Sequence, residues 1–329
     1  MSDREPDSTI DIAAEEPQGE ELFAPRARGP LAVALGRLLR KKIAVAALIF
    51  IAVFYFCGVF APWVAPHSFT DQDLDHAREG PSIEHPLGTD RHGRDMLSRV
   101  IWASRTTVVV TVATLITGGI VLAVGLGLLA GYVGGKVDTF IMRLGDVFWA
   151  LPGLAMLIMI NSALGSRIRS LEWLERIEDA LRIDGFPDYV VVFGALSLFS
   201  WVGGARVIRS QVLALRETEY VQAARAMGAS TARVIVSHLL PNVSNIVIVS
   251  LSASLGAIAG TEIALTWFGV GVQPPTPSFG AMLYEGGSIR TLQADPHLLL
   301  VPGAVVAMLI FSFNLLGDAL MDVLTPHAR

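Results

Sequence analysis

The chain has 329 residues, of which 52% are hydrophobic and 17% charged, with a mean hydropathy of +0.54 and a formal net charge of −5. That balance excludes a soluble domain of this length and places the chain in the membrane class. With no basic excess, no nucleic-acid partner is expected. Residues 1–24 are acidic, with Arg4 the only basic residue, and read as a disordered tail. They lack the basic, short-apolar layout of a signal peptide, so the first helix is expected to insert uncleaved.

Crossing the hydrocarbon core takes about 20 apolar residues. Six runs qualify: Ile43–Ala65, Thr106–Tyr132, Val147–Leu164, Tyr189–Ile208, Val243–Val272 and Leu298–Leu320. The third is the weakest, because it follows Asp146 and holds Pro152. Arg26, Arg28, Arg37, Arg40, Lys41 and Lys42 precede the first run, and the positive-inside rule then puts both termini in the cytoplasm. The domain plan is a tail (1–36), a first helix with an external loop (37–104), and a five-helix core (105–326). Cys57 is alone, so no disulfide framework exists, and it is expected to pack as a small apolar residue.

The external loop contains HPLGTDRHGRDMLSRVIWASR from His85 to Arg105. Its Pro86–Asp90 stretch predicts a turn leading into a helix capped near Asp90. His85 and His92 lack further ligand spacing, and no metal is expected. Gly127, Gly131 and Gly135 fall four apart at the end of the second run and predict close helix packing. Ala130 and Val137 stand where a phosphate-binding loop needs Gly and Ser or Thr, so no nucleotide site is expected here. The segment 166–187 is expected to be external and helical.

Between the fourth and fifth runs lies RETEYVQAARAMGASTARVIVSHLLPN, Arg216–Asn242. It reads as two short helices hinged at Gly228, the second stopping at Pro241. An ordinary connection needs only a few residues, so a folded hairpin of this length reads as a surface that grips a partner. In the fifth run, Gly256, Gly260 and Ala264 form a small-residue stripe. Glu262 is the sharpest intramembrane polar residue and Asp146 the second candidate. A hydrogen bond to a neighbouring helix is favoured over a direct substrate role for Glu262. Asp318 and Asp322 read as interfacial.

The 216–242 segment resembles the EAA loop of ABC-importer permeases. On that resemblance Glu219, Tyr220, Gln222, Ala223, Ala224, Arg225, Gly228, Leu240 and Pro241 form the ATPase-coupling loop, with Gln222 in place of the usual acid. Four other motifs, taken in order, are similar to the C-type permease subunits of bacterial dipeptide/oligopeptide ABC importers. They are the His85–Arg105 segment with Ala103 for Gly, and Tyr132–Asp146. The others are the turn after Glu262, with Thr266–Gly271 departing modestly, and the Asn314–Pro326 ending, where Met321 and Thr325 replace Arg and Asp. The resemblance implies an all-α polytopic membrane protein with a type I (MetI-like) permease core. It implies a homologous second permease, two ATPase subunits that hold ATP and magnesium, and an extracytoplasmic substrate-binding protein. No cofactor and no catalysis are expected in this chain.

Alternatives stay open on substrate, which includes nickel or another small solute, and on class. An ion-gradient-driven transporter predicts paired half-repeats, and a membrane enzyme predicts motifs such as HExxH or GxSxG. None of these is evident in the sequence.

Overall fold

The computed structural model describes residues 41–181, 183 and 185–324. The tail, Arg37, Arg40, Thr325 and Pro326 lie outside the described residues. Among these residues the fold is all-α, apart from one isolated β-bridge between Thr89 and Asp95. Helix α1 spans Lys42–Val59, and Pro62 starts a separate turn, α2, at Ala61–Val64. Helix α3 is continuous over Met96–Val133, ten residues longer at its start than the apolar run. At 38 residues it measures about 57 Å, well over the roughly 30 Å hydrocarbon core, so its start stands outside the membrane. Its Leu115–Val124 stretch is a widened π-type turn. There Gly118 lies so close to the Phe186–Leu215 helix that a Cβ would stand 2.9 Å from Ser197 Cα.

The third apolar run is not one helix. Helix α4 (Gly135–Ala150) and helix α5 (Gly153–Arg169) meet at 91° across Leu151–Pro152. Pro152 has no N–H for the ladder, and the residue before it is driven to extended backbone, as Leu151 is at φ −95, ψ 145. Val147–Ala150 therefore belong to α4, and among the described residues five helices are long and apolar enough to cross a membrane, six spans when the bent pair α4–α5 counts as one. Helix α6 covers Glu172–Leu181, and α7 is a 30-residue helix, Phe186–Leu215. Helix α8 is Glu219–Ala226 and α9 is Thr231–Trp267. Short helices α10 (Phe279–Gly286) and α11 (Ile289–Ala294) precede α12, His297–Leu324.

Two corrections concern α9. It does not stop at Pro241 but runs through it. The preceding Val234–Leu239 turn is π-type, with Leu240 N–H donating to Ile235 O, and this wider ring gives the pyrrolidine room. It also ends at Trp267 rather than Val272, where Gly269 (φ +78) turns the chain.

The helices order into a bundle with two ends. On the loop face sit residues 65–95, Asp188 and His297. On the hairpin face sit Lys41, Gly131, α8 and Asp322. Lys41 Nζ meets Asp322 Oδ2 at 2.5 Å, and His297 Nε2 pairs with Thr89 O at 3.1 Å. Arg169 pairs with Asp188 on the loop face, so the bent pair α4–α5 carries the chain from the hairpin face back there. Phe54, Met96, Phe279 and Phe313 join α1, α3, α10 and α12 in one core. Gly127 and Gly131 press on α7, where Cβ atoms would stand 2.9 Å from Ala205 O and 2.7 Å from Val212 Cβ. Gly135 does not continue that packing face. It has φ +55, open space around it, and forms the turn into α4.

Candidate functional site

Helix α8 is held by two side chains. Val221 and Ala224 are buried and lie one turn apart, and Val221 packs with Val234, Leu239, Ile208 and Val212. Leu240 is half-buried beside them. The rest of the hairpin is presented outward: Glu219, Tyr220, Gln222, Ala223, Arg225, Gly228 and Pro241 are exposed. Gly228 has φ +83. Its N–H donates to Arg225 O at 2.9 Å and Ala229 N–H donates to Ala224 O at 3.0 Å. Those two bonds make a Schellman stop, which a left-handed residue closes. Arg225 reaches over the Tyr132 ring at 6.0 Å, and Gln222 Nε2 donates to Glu217 O at 3.0 Å. Met227, at the tip, is 82% exposed. The sequence reading missed it, since an apolar residue beside a Gly in an eight-residue helix carries no signal of which way it faces.

A furrow runs along α7 and α9. Two adjoining hollows share Ser200 and Ser254. The larger is walled by Leu157 and Leu154 of α5, Phe199 of α7, and Ala257, Thr261 and Ala264 of α9. Ser200 Oγ is buried without a hydrogen-bond partner among the described residues. Small and hydroxyl-bearing residues thus line a groove open to one side. Ala264 of the predicted stripe faces it, whereas Gly256 packs on α12, a Cβ there standing 3.1 Å from Phe313 Cβ.

Glu262 does not line that furrow. It is fully buried between α9 and α3, where Thr107 Oγ1 donates to Oε2 at 2.9 Å and Thr266 Oγ1 to Oε1 at 3.2 Å. Such buried side-chain bonds join helices. Asp146 lies on α4 and accepts from Arg206 at 2.6 Å, the guanidinium also stacking 4.4 Å from the Trp149 ring centre.

The loop face is built on two carboxylates. Asp90 does not cap α3, as the sequence suggested. Asp95 does, its Oδ2 accepting from Ser98 N and Oγ, each at 2.7 Å. Asp90 is 2% exposed and accepts from Arg94 Nε at 2.6 Å and Arg99 Nη1 at 2.5 Å. Burial alone would push its carboxyl up. Arg99, Arg94 and the Arg94 and His92 amides outweigh that and hold it below the usual carboxylate range. Burial likewise opposes the charge on Asp95, and Ser98 and His85 together hold its carboxyl low. His85 and His92 do not come together. His67 joins His85 around Asp95, the three potential ligand atoms lying within 4.8 Å of one another. Asp95 is already engaged by Ser98 and by His85 Nδ1 at 3.0 Å, so the cluster serves to tie the loop to the start of α3.

Residues 123–329 match the family described as binding-protein-dependent transport system inner membrane component. The chain belongs to this family. Residues 29–81 match a second description, the N-terminal TM domain of oligopeptide transport permease C. The permease is 33% identical over 294 residues to the glutathione transport system permease protein GsiD of Pectobacterium atrosepticum, covering 89% of this chain and 90% of that one. It is 33% identical over 300 residues to the dipeptide transport system permease protein DppC of Alkalihalophilus pseudofirmus, covering 91% of each. It is 29% identical over 296 residues to the oligopeptide transport system permease protein OppC of Bacillus subtilis, covering 90% and 89%. The permease is thus a multi-pass inner-membrane subunit of a transport complex.

Proposed function

We propose that this permease imports short peptides across the cytoplasmic membrane, driven by ATP hydrolysis in separate subunits. The observation that carries the reading is α8, a helix fastened by Val221 and Ala224 yet exposed over Tyr220, Ala223, Met227 and Gly228. A rigid outward knob is what a moving partner can push on. The hairpin face is then cytoplasmic and two ATPase subunits dock on the hairpins of this chain and of a homologous permease. The open furrow along α7 and α9 faces that second permease and forms half of the substrate path. A binding protein docks on the loop face. The named cargoes of the three relatives are all peptides, which supports the peptide class.

ATP-driven approach of the two hairpins biases the bundle between two packings, because nucleotide binds one arrangement more tightly than the other. Glu262 and its two threonines keep α3 and α9 together as these helices move. The test is reconstitution of both permeases and their ATPases in proteoliposomes with loaded binding protein. Uptake should require ATP and survive collapse of ion gradients. Uptake that follows a proton gradient in the absence of nucleotide would refute the reading.

A further inference from the structure

On the loop face, beyond the end of the furrow, a hollow of about 490 Å³ opens between residues 78–91, the end of α9, and α10–α11. That volume is in the range of small-ligand sites, about 300–1,000 Å³. Two opposite charges line it without meeting. Arg78 forms no ion pair among the described residues, and neither does half-buried Asp295. The other charges are engaged. The Glu285 carboxylate accepts from Arg99 Nη1 at 2.9 Å, and Arg91 donates to the Glu285 carbonyl oxygen, keeping further N–H donors free.

Arg78 is the one non-glycine residue among those described with a positive φ, 62°, and its N–H donates to Asp90 O at 2.9 Å. The backbone at Arg78 is thus tied to that at Asp90, and its exposed side chain lines the hollow. An aromatic pair lines the same hollow. Trp267 and Tyr284 meet edge to face at 6.2 Å and are 43% and 68% exposed. Both also line the neighbouring hollow at the end of α9, whose Thr266 is two residues from the furrow-lining Ala264.

A basic group, an acidic group and an aromatic face in one hollow fit a molecule that carries a carboxylate at one end and an ammonium at the other. We propose that this hollow is a receiving subsite for the free termini of a short peptide. Arg78 and Arg91 take the carboxylate, Asp295 takes the ammonium, and Trp267 and Tyr284 hold the side chains. A docking loop from another protein has neither terminus free and would not satisfy both groups. The inference rests on the importer reading and deepens it.

The test uses the complete complex in nanodiscs, without binding protein, and saturation-transfer NMR. The probes are alanyl-alanine, its C-terminal amide and its N-acetyl form. The wild type should prefer alanyl-alanine over either blocked form by roughly tenfold, the scale of one hydrogen bond to a charged group. Arg78→Gln should reduce discrimination against the amide severalfold and leave that against the N-acetyl form intact, and Asp295→Asn should erase discrimination against the N-acetyl form only. A structural role for either residue would weaken all three probes alike, and that result overturns the subsite. Equal binding of the three probes by the wild type, or none, overturns it too. ATP-dependent uptake by the same complex in proteoliposomes is scored separately, so loss of the subsite and loss of the importer reading are distinguishable.

Discussion

Replacing Gly228 separates a backbone effect from a docking effect. At φ +83 a residue with a Cβ is strained by about 1–2 kcal/mol. Nothing lies within 4 Å of where that Cβ would stand, so no clash is added and a large side chain has room to point into open space. The Schellman bonds and the Val221 anchor should therefore survive with a locally loosened turn. Gly228→Ala meets the same backbone strain as Gly228→Trp but adds only a methyl group to the exposed tip. The expected outcome is reduced but measurable uptake for Gly228→Ala. For Gly228→Trp and Gly228→Asp uptake should be abolished, with normal abundance in the membrane. The assay pairs peptide uptake with co-purification of the ATPase subunits at matched expression. Wild-type uptake by Gly228→Trp would refute the coupling role of the hairpin. Equal loss by Ala and Trp would show that turn geometry, not the docking surface, is what matters.

Glu262→Gln should keep much of the transport, since an amide can still bond Thr107 and Thr266. Glu262→Leu should lose most of it, at about 1–3 kcal/mol for the Thr107 hydroxyl left without a partner, since Thr266 keeps its bond to the Glu262 carbonyl oxygen. If uptake fails equally in both, the charge itself is required. In a Cys57→Ser background, single cysteines at Gly228 and Trp173 should label from opposite sides of the membrane with impermeant reagent, Trp173 from outside. Arg99→Ala breaks a buried pair with Asp90 and should loosen the loop face by about 3 kcal/mol, read as faster proteolysis of residues 65–95. The Asp90 carboxyl titrates below its unfolded value near 4. Its contribution is thus complete above that value and lost as the pH falls through the lower folded one, so protection should drop below about pH 4 in the wild type and respond less in Arg99→Ala. The purified chain, free of ATPase subunits, should bind no labelled ATP.

Apolar run length made five of the spans legible but not the 91° bend inside the third run, and Gly228 announced its turn because few other residues reach a left-handed backbone. What the loop carboxylates do was not legible. Asp90 and Asp95 both precede an apolar stretch, and only the three-dimensional approach of Arg94 and Arg99 to the first, and of Ser98 to the second, separates ion pair from helix cap. The furrow was invisible for a similar reason: Ser200 and Ser254 are ordinary residues on two helices until α7 and α9 are packed together.

Proline shows most plainly where local rules stop. Pro152, Pro241 and Pro302 all remove a ladder hydrogen bond, yet among them only the first breaks the helix, at a 91° bend. Leu151 takes extended backbone, and α4 is held against α7, with Asp138 paired to Arg209 and Asp146 to Arg206. Pro241 follows the π-type turn Val234–Leu239, whose wider ring accommodates it, and Leu239 and Val243 on either side are buried in one cluster that favours a straight path. Pro302 lies inside α12, whose neighbours Leu298 and Leu309 are buried in the α1–α3–α10 core. The same residue therefore ends a helix when a lateral contact rewards the bend and is absorbed when packing on both sides rewards continuity. On that account, removing the lateral contact should matter more than removing the proline. Arg206→Ala with Arg209→Ala should free α4 from α7 and disturb transport more than Pro152→Ala does. A larger effect from Pro152→Ala would show that the 91° bend is set by the proline itself.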